Sequence, residues 1–459
     1  MKIKQASLLI LFVLQGCGVV LAREWKDNTG KFKIEAELRE VRGKEIVLVR
    51  SDGKQIVVPI ARLSDDDQRY LRSIAPATTN PATNRATSSD DPHTSANRGH
   101  AKAKDSGRPV PLAAALKTPA PWQLTEPTIQ TLVDTIRSEC RINVFLSFQE
   151  LFCNRIAMDQ PLPYRSSGKP LHAELDTAFE STGLGWYVHD DVLVITTIKP
   201  CDHASVLIKP VLYRVLKGGN PQQLSQEIQR QVAPESWEAR MGNKIIAGLL
   251  PSSLIVIQQP LVHAELEKKF SGSIQAIHAP SRMGDQFKVL DQRGSISCPL
   301  MTLEQVVQEL SQQFQVPIVL DVAELRSGTR VTPSNPVSIQ LENVRLATAL
   351  QLMISGHELA FVAKQDRITI TSLDASESEM IPVDYNARSL MFSRGNASRR
   401  VDVQPALDLL TSISPSSWEE VGGPASITMA SPGNLRITHS TQAHLTIRQL
   451  LADLRLALR

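Results

Sequence analysis

The sequence predicts a multidomain α+β chain: a small β module at the front, then two tandem copies of a two-part α/β sandwich unit. Three observations predict it. Two β-rich runs flank Ser51-Asp52-Gly53-Lys54 near the start. A stretch rich in Ala, Thr, Asn, Ser and Pro follows them. After it, one pattern of elements is written twice, and each time it carries a Pro, a Trp and a Gly, in APESWEARMG (Ala233 to Gly242) and SPSSWEEVGG (Ser414 to Gly423). The chain has 459 residues, enough for several domains, with 42% hydrophobic and 21% charged residues. Aromatics make up only 5%, so the cores must rest on aliphatic side chains. The formal net charge of +3 is no electrostatic footprint for nucleic acid.

The first 22 residues have the form of an export signal. Lys2 and Lys4 precede an apolar run, Ser7 to Leu14, that is too short to span a bilayer. Val20-Leu21-Ala22 supplies small residues for cleavage. Removing this segment brings the net charge to about +1. Leu14-Gln15-Gly16-Cys17 offers lipidation at Cys17 as a second route. Gln15 is atypical there and the apolar run continues to Ala22, so cleavage after Ala22 is favoured. No later segment is long or apolar enough for a membrane helix.

Residues 23–74 form the front module. Phe32, Ile34, Ala36 and Leu38 alternate with polar residues, as a half-buried strand requires. Asp52-Gly53 sits between two β-rich runs, where Gly accepts the positive φ of a tight hairpin turn. Ser64 is placed to cap a short helix, with Asp65, Asp66 and Asp67 at its positive end. A calcium site is the weaker reading of that triplet, because the alternating ligands are missing.

Trp25, Asp27, Thr29-Gly30-Lys31-Phe32, Glu35-Ala36, Asp52-Gly53-Lys54, Val58-Pro59, Leu63-Ser64 and Asp67 together resemble the Sla homology domain. This family is known from a fungal endocytic adaptor and from exported planctomycete proteins. The resemblance implies an SH3-like β-barrel module that binds a protein or peptide, in the adaptor an Asn-Pro-Phe-x-Asp peptide of cytoskeletal and endocytic partners. It places Arg50 and Lys54, on the hairpin, where a ligand's Asp would pair. A solvated hairpin face is the equal alternative for these two.

Residues 75–120 read as a disordered linker without apolar periodicity. Beyond it, Trp237 to His263 and Trp418 to His444 are separated by the same 26 residues. SLIVIQQPLVHAEL aligns with NLRITHSTQAHLTI, each a strand, a turn and a helix start. Upstream, LGWYVHDDVLVITT (Leu184 to Thr197) and LAFVAKQDRITITS (Leu359 to Ser372) both read as hairpins. Two amphipathic helices precede each hairpin. The copies therefore comprise parts 121–200 and 201–280, then 286–372 and 373–459. Trp237 and Trp418 are expected to pack the seam between helix and sheet of each second part. Ile447, Leu451, Leu454 and Leu458 give the last helix a buried stripe. The first parts resemble, by order of elements and by the VLVITT and ITITS strand endings, the short N-terminal modules of secretins and of some TonB-dependent receptors. That resemblance implies binding to neighbours. The chain shows no alternating segment for a membrane barrel after the repeats, so it is not expected to be a pore itself.

Chemistry is sparse. Phosphate loops, paired-His zinc helices and nucleophile elbows are absent, so no catalytic residue, metal ligand or cofactor is assigned. His172 and His263 both stand in HAEL strings and read as partly buried helix-start residues. His439 and His444 are five apart, which does not place them on one helical face. Cys140, Cys153, Cys201 and Cys298 allow three full pairings, and buried free thiols are an equal reading. The expected function is a non-enzymatic, exported protein-binding adaptor of the periplasm or cell envelope. Its partner would be a protein or peptide, with self-association as an option and with no nucleic acid. A structural subunit of an envelope or secretion-type assembly and an uncharacterised envelope enzyme stay open as rivals.

Overall fold

The computed structural model describes residues 23–28, 33–42, 45–50, 54–64, 67–68, 110–199, 208–237, 244–247, 252–280, 284–364, 366–388 and 404–458. The signal segment with Cys17, the hairpin tip at 51–53, Asp65, Asp66, Cys201 and Gly242 lie outside these residues. The chain divides into two compact units, residues 1–81 and 82–459.

In the front unit, β1 (Arg23–Lys26), β2 (Lys33–Arg42), β3 (Glu45–Arg50) and β4 (Gln55–Pro59) form an antiparallel meander in that order. Trp25, Ala36, Ile46, Leu48 and Leu63 are its core. The Trp25 indole N–H donates to the Ala36 carbonyl at 2.9 Å, so the largest core side chain carries no unmet donor. The expected closed barrel is not formed by the described residues. After Pro59 the chain makes a 3-10 turn, Ile60–Arg62, and it returns beside β1 through the isolated bridge Asp27–Leu63 rather than a further strand pair. The capped turn is present. Ser64 Oγ accepts the Asp67 N–H at 3.2 Å, and the buried Asp67 carboxylate takes the Ser64 hydroxyl at 2.8 Å and the Lys26 N–H at 2.7 Å.

The second unit contains both copies. Its first part runs α1 (Leu112–Ala115), α2 (Ile129–Cys140), β5 (Asn143–Leu146), α3 (Phe148–Cys153), α4 (Leu171–Phe179), β6 (Leu184–His189) and β7 (Val192–Thr197). The linker assignment fails at its end: residues 110–120 are folded, and Leu112, Ala115 and Ala120 are buried with Trp122 in the first core. Their Ala- and Pro-rich composition hid a short helix. Thr128 caps α2 through the Thr131 N–H at 3.1 Å, and Arg141 ends it at φ 53°. The sheet order is β5-β7-β6, parallel then antiparallel.

The second part runs β8 (Lys209–Val215), α5 (Pro221–Gln231), a 3-10 turn Pro234–Trp237, β9 (Lys244–Ala247), β10 (Ser253–Gln258), α6 (Pro260–Lys269) and β11 (Ile274–Ile277). Its sheet order is β11-β8-β10-β9. Both helices start on a proline at the first turn, where no N–H is needed.

The second copy repeats this plan. Its first part holds β12 (Arg293–Thr302), α7 (Leu303–Phe314), β13 (Ile318–Leu320), α8 (Val322–Gly328), β14 (Pro336–Arg345), α9 (Leu346–Ile354), β15 (Leu359–Ala363), β16 (Ile368–Ser372) and α10 (Leu373–Ser378). Thr302 and Gln305 make a reciprocal capping box on α7, and Gln315 ends it at φ 52°, as Arg141 ends α2. The order β13-β16-β15 mirrors β5-β7-β6. The two first parts differ in one ladder. β12 and β14 form a two-stranded ribbon, whereas its counterpart is reduced to isolated bridges at Pro119–Pro170, Thr125–Arg165 and Thr128–Pro161. Prolines on both sides of that ladder remove the donors a continuous ribbon needs. The last part holds β17 (Ile381–Asn386), α11 (Gln404–Thr411), β18 (Ser426–Ser431), β19 (Asn434–His439) and α12 (Thr441–Ala457), with sheet order β17-β19-β18. Ile447, Leu451 and Leu454 are buried along α12 as expected.

Candidate functional site

In the front unit, Arg50 closes β3 and Lys54 precedes β4. The Arg50 N–H donates to the Lys54 carbonyl at 3.0 Å. This hydrogen bond brings the two residues to the mouth of one hairpin, and both side chains are exposed. An anionic ligand side chain could be met there by two cations.

The two tryptophans occupy one structural position. Trp237 Nε1 donates to the Val232 carbonyl at 2.7 Å, and Trp418 Nε1 donates to the Ile413 carbonyl at 2.8 Å. Each indole thus ties the chain leaving a helix to the turn that follows. Trp237 packs against the core of its own part, and Trp418, 2% exposed, lies in the large shared core. Gly423 explains the glycine of the second motif. A Cβ there would fall 2.1 Å from the Ser417 carbonyl carbon, so the loop closes only on glycine. Gly422 beside it has φ 89°.

A polar relay repeats around each tryptophan. Ser236 donates to the Ala233 carbonyl at 2.7 Å and accepts from Gln258 Nε2 at 2.9 Å. Ser417 donates to the Ser414 carbonyl at 2.7 Å and meets His439 Nε2 at 2.9 Å. His439 Nδ1 accepts the Ser440 N–H at 2.8 Å, so the ring carries its proton on Nε2 and donates to Ser417. A glutamine in one copy therefore does the work of a histidine in the other.

A buried tyrosine–histidine pair also recurs, which the sequence reading missed. Tyr213 Oη lies 2.9 Å from His263 Nδ1, and Tyr385 Oη lies 2.9 Å from His444 Nδ1. The Nε2 of each histidine faces a strand carbonyl, Lys209 at 3.0 Å and Ile381 at 2.7 Å. A carbonyl only accepts, so each ring is protonated on Nε2 and leaves Nδ1 as an acceptor, which Tyr385 serves, while the single hydrogen of Tyr213 faces a second acceptor as well, Glu267 Oε1 at 3.1 Å. Burial lowers His263 to about 3, and His439 and His444 to about 4, so all three are neutral fasteners between sheet and helix. The two HAEL strings do different jobs. Glu174 is buried and accepts from Tyr164 Oη at 2.6 Å and from the Ser167 and Lys169 N–H groups, whereas Glu265 pairs with Lys269 at the surface. His172 is exposed, with Nδ1 2.8 Å from the Leu116 carbonyl.

The copies are joined by polar contacts at the β6–β7 turn. Asp190 pairs with Arg345 at 2.7 Å and accepts from Thr348, His189 donates from Nε2 to Gln351 at 3.0 Å, and Arg345 reaches Asp291 at 3.7 Å. Burial pushes the Asp190 carboxyl up, but His189, Arg345 and Thr348 outweigh it and hold it at about 2. Asn143 acts as a backbone mimic, donating to the Glu342 carbonyl at 2.9 Å and accepting its N–H at 2.7 Å. The connector at Ala279 is clamped by Asp453, which takes its N–H at 2.7 Å, and by Gln449, which donates to its carbonyl at 3.0 Å.

Cys140, Cys153 and Cys298 are free thiols, and burial raises Cys140 and Cys298 to about 11, away from nucleophilic thiolate. Among the described residues no group of three or more His, Cys, Asp and Glu side chains could hold a metal ion. Nor is any helix among them long and apolar enough to cross a membrane.

Residues 19–78 match the family SLA1 homology domain 1 (SHD1). No curated protein matches the chain. Among solved structures, a dimeric cysteine mutant of the N-terminal domain of the secretin XcpQ from Pseudomonas aeruginosa is 11% identical, over 72% of this chain and 97% of that one, with a TM-score of 0.13. The Salmonella SPI-1 type III secretion injectisome basal body, with InvG, PrgH and PrgK, is 12% identical over 72% of this chain and 45% of that one, with a TM-score of 0.16. The first is a secretin N-terminal domain, the kind of module the body was expected to resemble.

Proposed function

We propose that this chain is a non-enzymatic binding protein of the cell envelope, in which the SHD1 module takes a peptide of a partner protein and the two-copy body serves as a platform. The match of residues 19–78 to SHD1 carries this reading. Exposed Arg50 and Lys54, held at one hairpin mouth, suit a ligand carboxylate. The buried histidines of the body support a binding role over a catalytic one, because their polar atoms are spent on fastening sheet to helix. The apolar run after Lys2 and Lys4 supports export. A module separated from its body by some thirty or more residues samples partners at raised local concentration once the body has docked.

The test is capture from envelope extract with the chain from Arg23, beside a chain lacking residues 23–74. A partner held by the first and lost from the second is the expected result. Equal retention of every partner by both chains would move recognition into the body and contradict the proposal.

A further inference from the structure

Where the four parts of the body meet they line a half-open cavity of about 400 Å³, within the roughly 300–1,000 Å³ of small-ligand sites. Each part lends a wall: Tyr187 from β6, Pro210 from β8, Leu352 from α9 and Gln442 from α12. Its floor is aliphatic, with Ile257, Leu352, Ile354, Leu359 and Ile413 all buried. Apolar side chains also stand at the surface of the same cavity, Ile198 at 61% and Leu373 at 40% exposure. Water is a poor partner for both.

Two hydrogen-bond donors in this wall are unspent. Gln442 Nε2 is buried with no partner, an arrangement that is costly unless something supplies an acceptor. The Tyr187 hydroxyl makes no hydrogen bond to any described residue, and burial keeps it protonated. Among the described residues the lining carries two carboxylates, Glu150 and Glu377, and no Lys or Arg. The charge of Glu150 reaches Tyr187. Glu377 is exposed, and partial burial with Asp374 nearby raises its carboxyl. An anion is disfavoured here. An acceptor oxygen beside an aliphatic group and a cation satisfies all of these demands.

We propose that this cavity is a socket for a cationic peptide segment of a partner protein: one aliphatic side chain on the floor, its backbone carbonyl accepting from Gln442 and Tyr187, and a Lys or Arg beside it meeting Glu377. The socket rests on the reading of the chain as a peptide-binding protein, but it is a second site, apart from the SHD1 hairpin. Because all four parts line it, an occupied socket holds the two copies in one arrangement.

The experiment titrates two blocked dipeptide probes, acetyl-Leu-Lys-amide and acetyl-Leu-Glu-amide, onto the full chain by calorimetry. The Lys probe is expected to bind at least tenfold tighter than the Glu probe. E377Q, an exposed change, brings the two affinities within threefold of each other. Q442L weakens both probes about equally. S355W fills the cavity and abolishes both, and should it fail to fold, E377Q still decides. Binding of neither probe, equal binding of both, or a preference untouched by E377Q overturns the socket. The double variant R50E/K54E leaves both probes unchanged, and if it abolishes them the probes sit at the hairpin and the socket is wrong. Loss of the socket together with intact hairpin binding would leave the SHD1 reading standing.

Discussion

Leu212 and Ile255 face each other across β8 and β10. At the same place in the second copy, Asp384 and Arg436 face each other across β17 and β19. The first pair is buried in the shared core beneath α12 of the second copy. The second is exposed and makes a two-pronged ion pair, with both distances 2.8 Å. One backbone ladder thus carries opposite chemistry, according to whether another copy covers it. The first sheet is an interior surface, and the second is a solvated end. Tandem arrays need such a polar cap on their outer copy, and the exchange identifies the second copy as that cap.

The largest expected break of this comparison is L212D. It places a lone carboxylate in the shared core, at a cost of about 3–5 kcal/mol, read as a fall in the urea midpoint. The reverse exchange, D384L with R436I, leaves the fold intact and makes the chain self-associate with rising concentration, seen by light scattering. If L212D is tolerated as well as D384L, the interior-versus-end reading fails. The tryptophans sharpen the contrast next. W418A removes a side chain from the shared core and costs about 3–5 kcal/mol. W237A, at a half-buried indole, costs about 1–2 kcal/mol less, because less apolar area leaves contact.

Acid acts on both copies. His439, His444 and His357 in the second copy sit at about 4 and His263 in the first at about 3, against 6.5 for a free histidine, and His189 and His278 of the first copy are lowered too, burial being the leading cause. The folded state holds fewer protons than the unfolded one, so this stability is complete above 6.5 and declines as the pH falls toward 4. Asp453 opposes the trend. Burial raises it to about 6, so its contribution is present in acid and is lost as the pH rises through 6. Three histidines outweigh one aspartate, and between pH about 7 and about 5 the second copy is expected to lose roughly 1–2 kcal/mol per histidine. Hydrogen exchange across that range should show protection falling in both copies, and protection unchanged at pH 5 would contradict this account. The smallest effect is expected from Y385F and Y213F, each leaving a histidine Nδ1 unmet at about 1–2 kcal/mol. Y213F also removes the 3.1 Å contact to Glu267 Oε1, so its loss should equal or exceed that of Y385F.

The duplication was legible because equal spacing between each tryptophan and its histidine survives in the sequence. The tyrosine partners were not legible. Tyr213 precedes His263 by 50 residues and Tyr385 precedes His444 by 59, because the stretch between β17 and α11 is longer than that between β8 and α5. Gln258 and His439 share a role but no chemistry that a pattern would match. The cavity draws its walls from four distant segments, so no local signal announces it. Residues 110–120 were misread because alanine and proline look alike in a tether and in a packed first turn. Arg50 and Lys54 were named only through a family resemblance, and a hairpin hydrogen bond joins their backbones.

The most direct test of the central claim is calorimetric titration of an Asn-Pro-Phe-x-Asp peptide onto the full chain and onto R50E/K54E. A saturable one-to-one isotherm that weakens at least tenfold in the variant is the predicted result. An absence of heat with the unaltered chain, or equal affinity for both chains, would contradict the account.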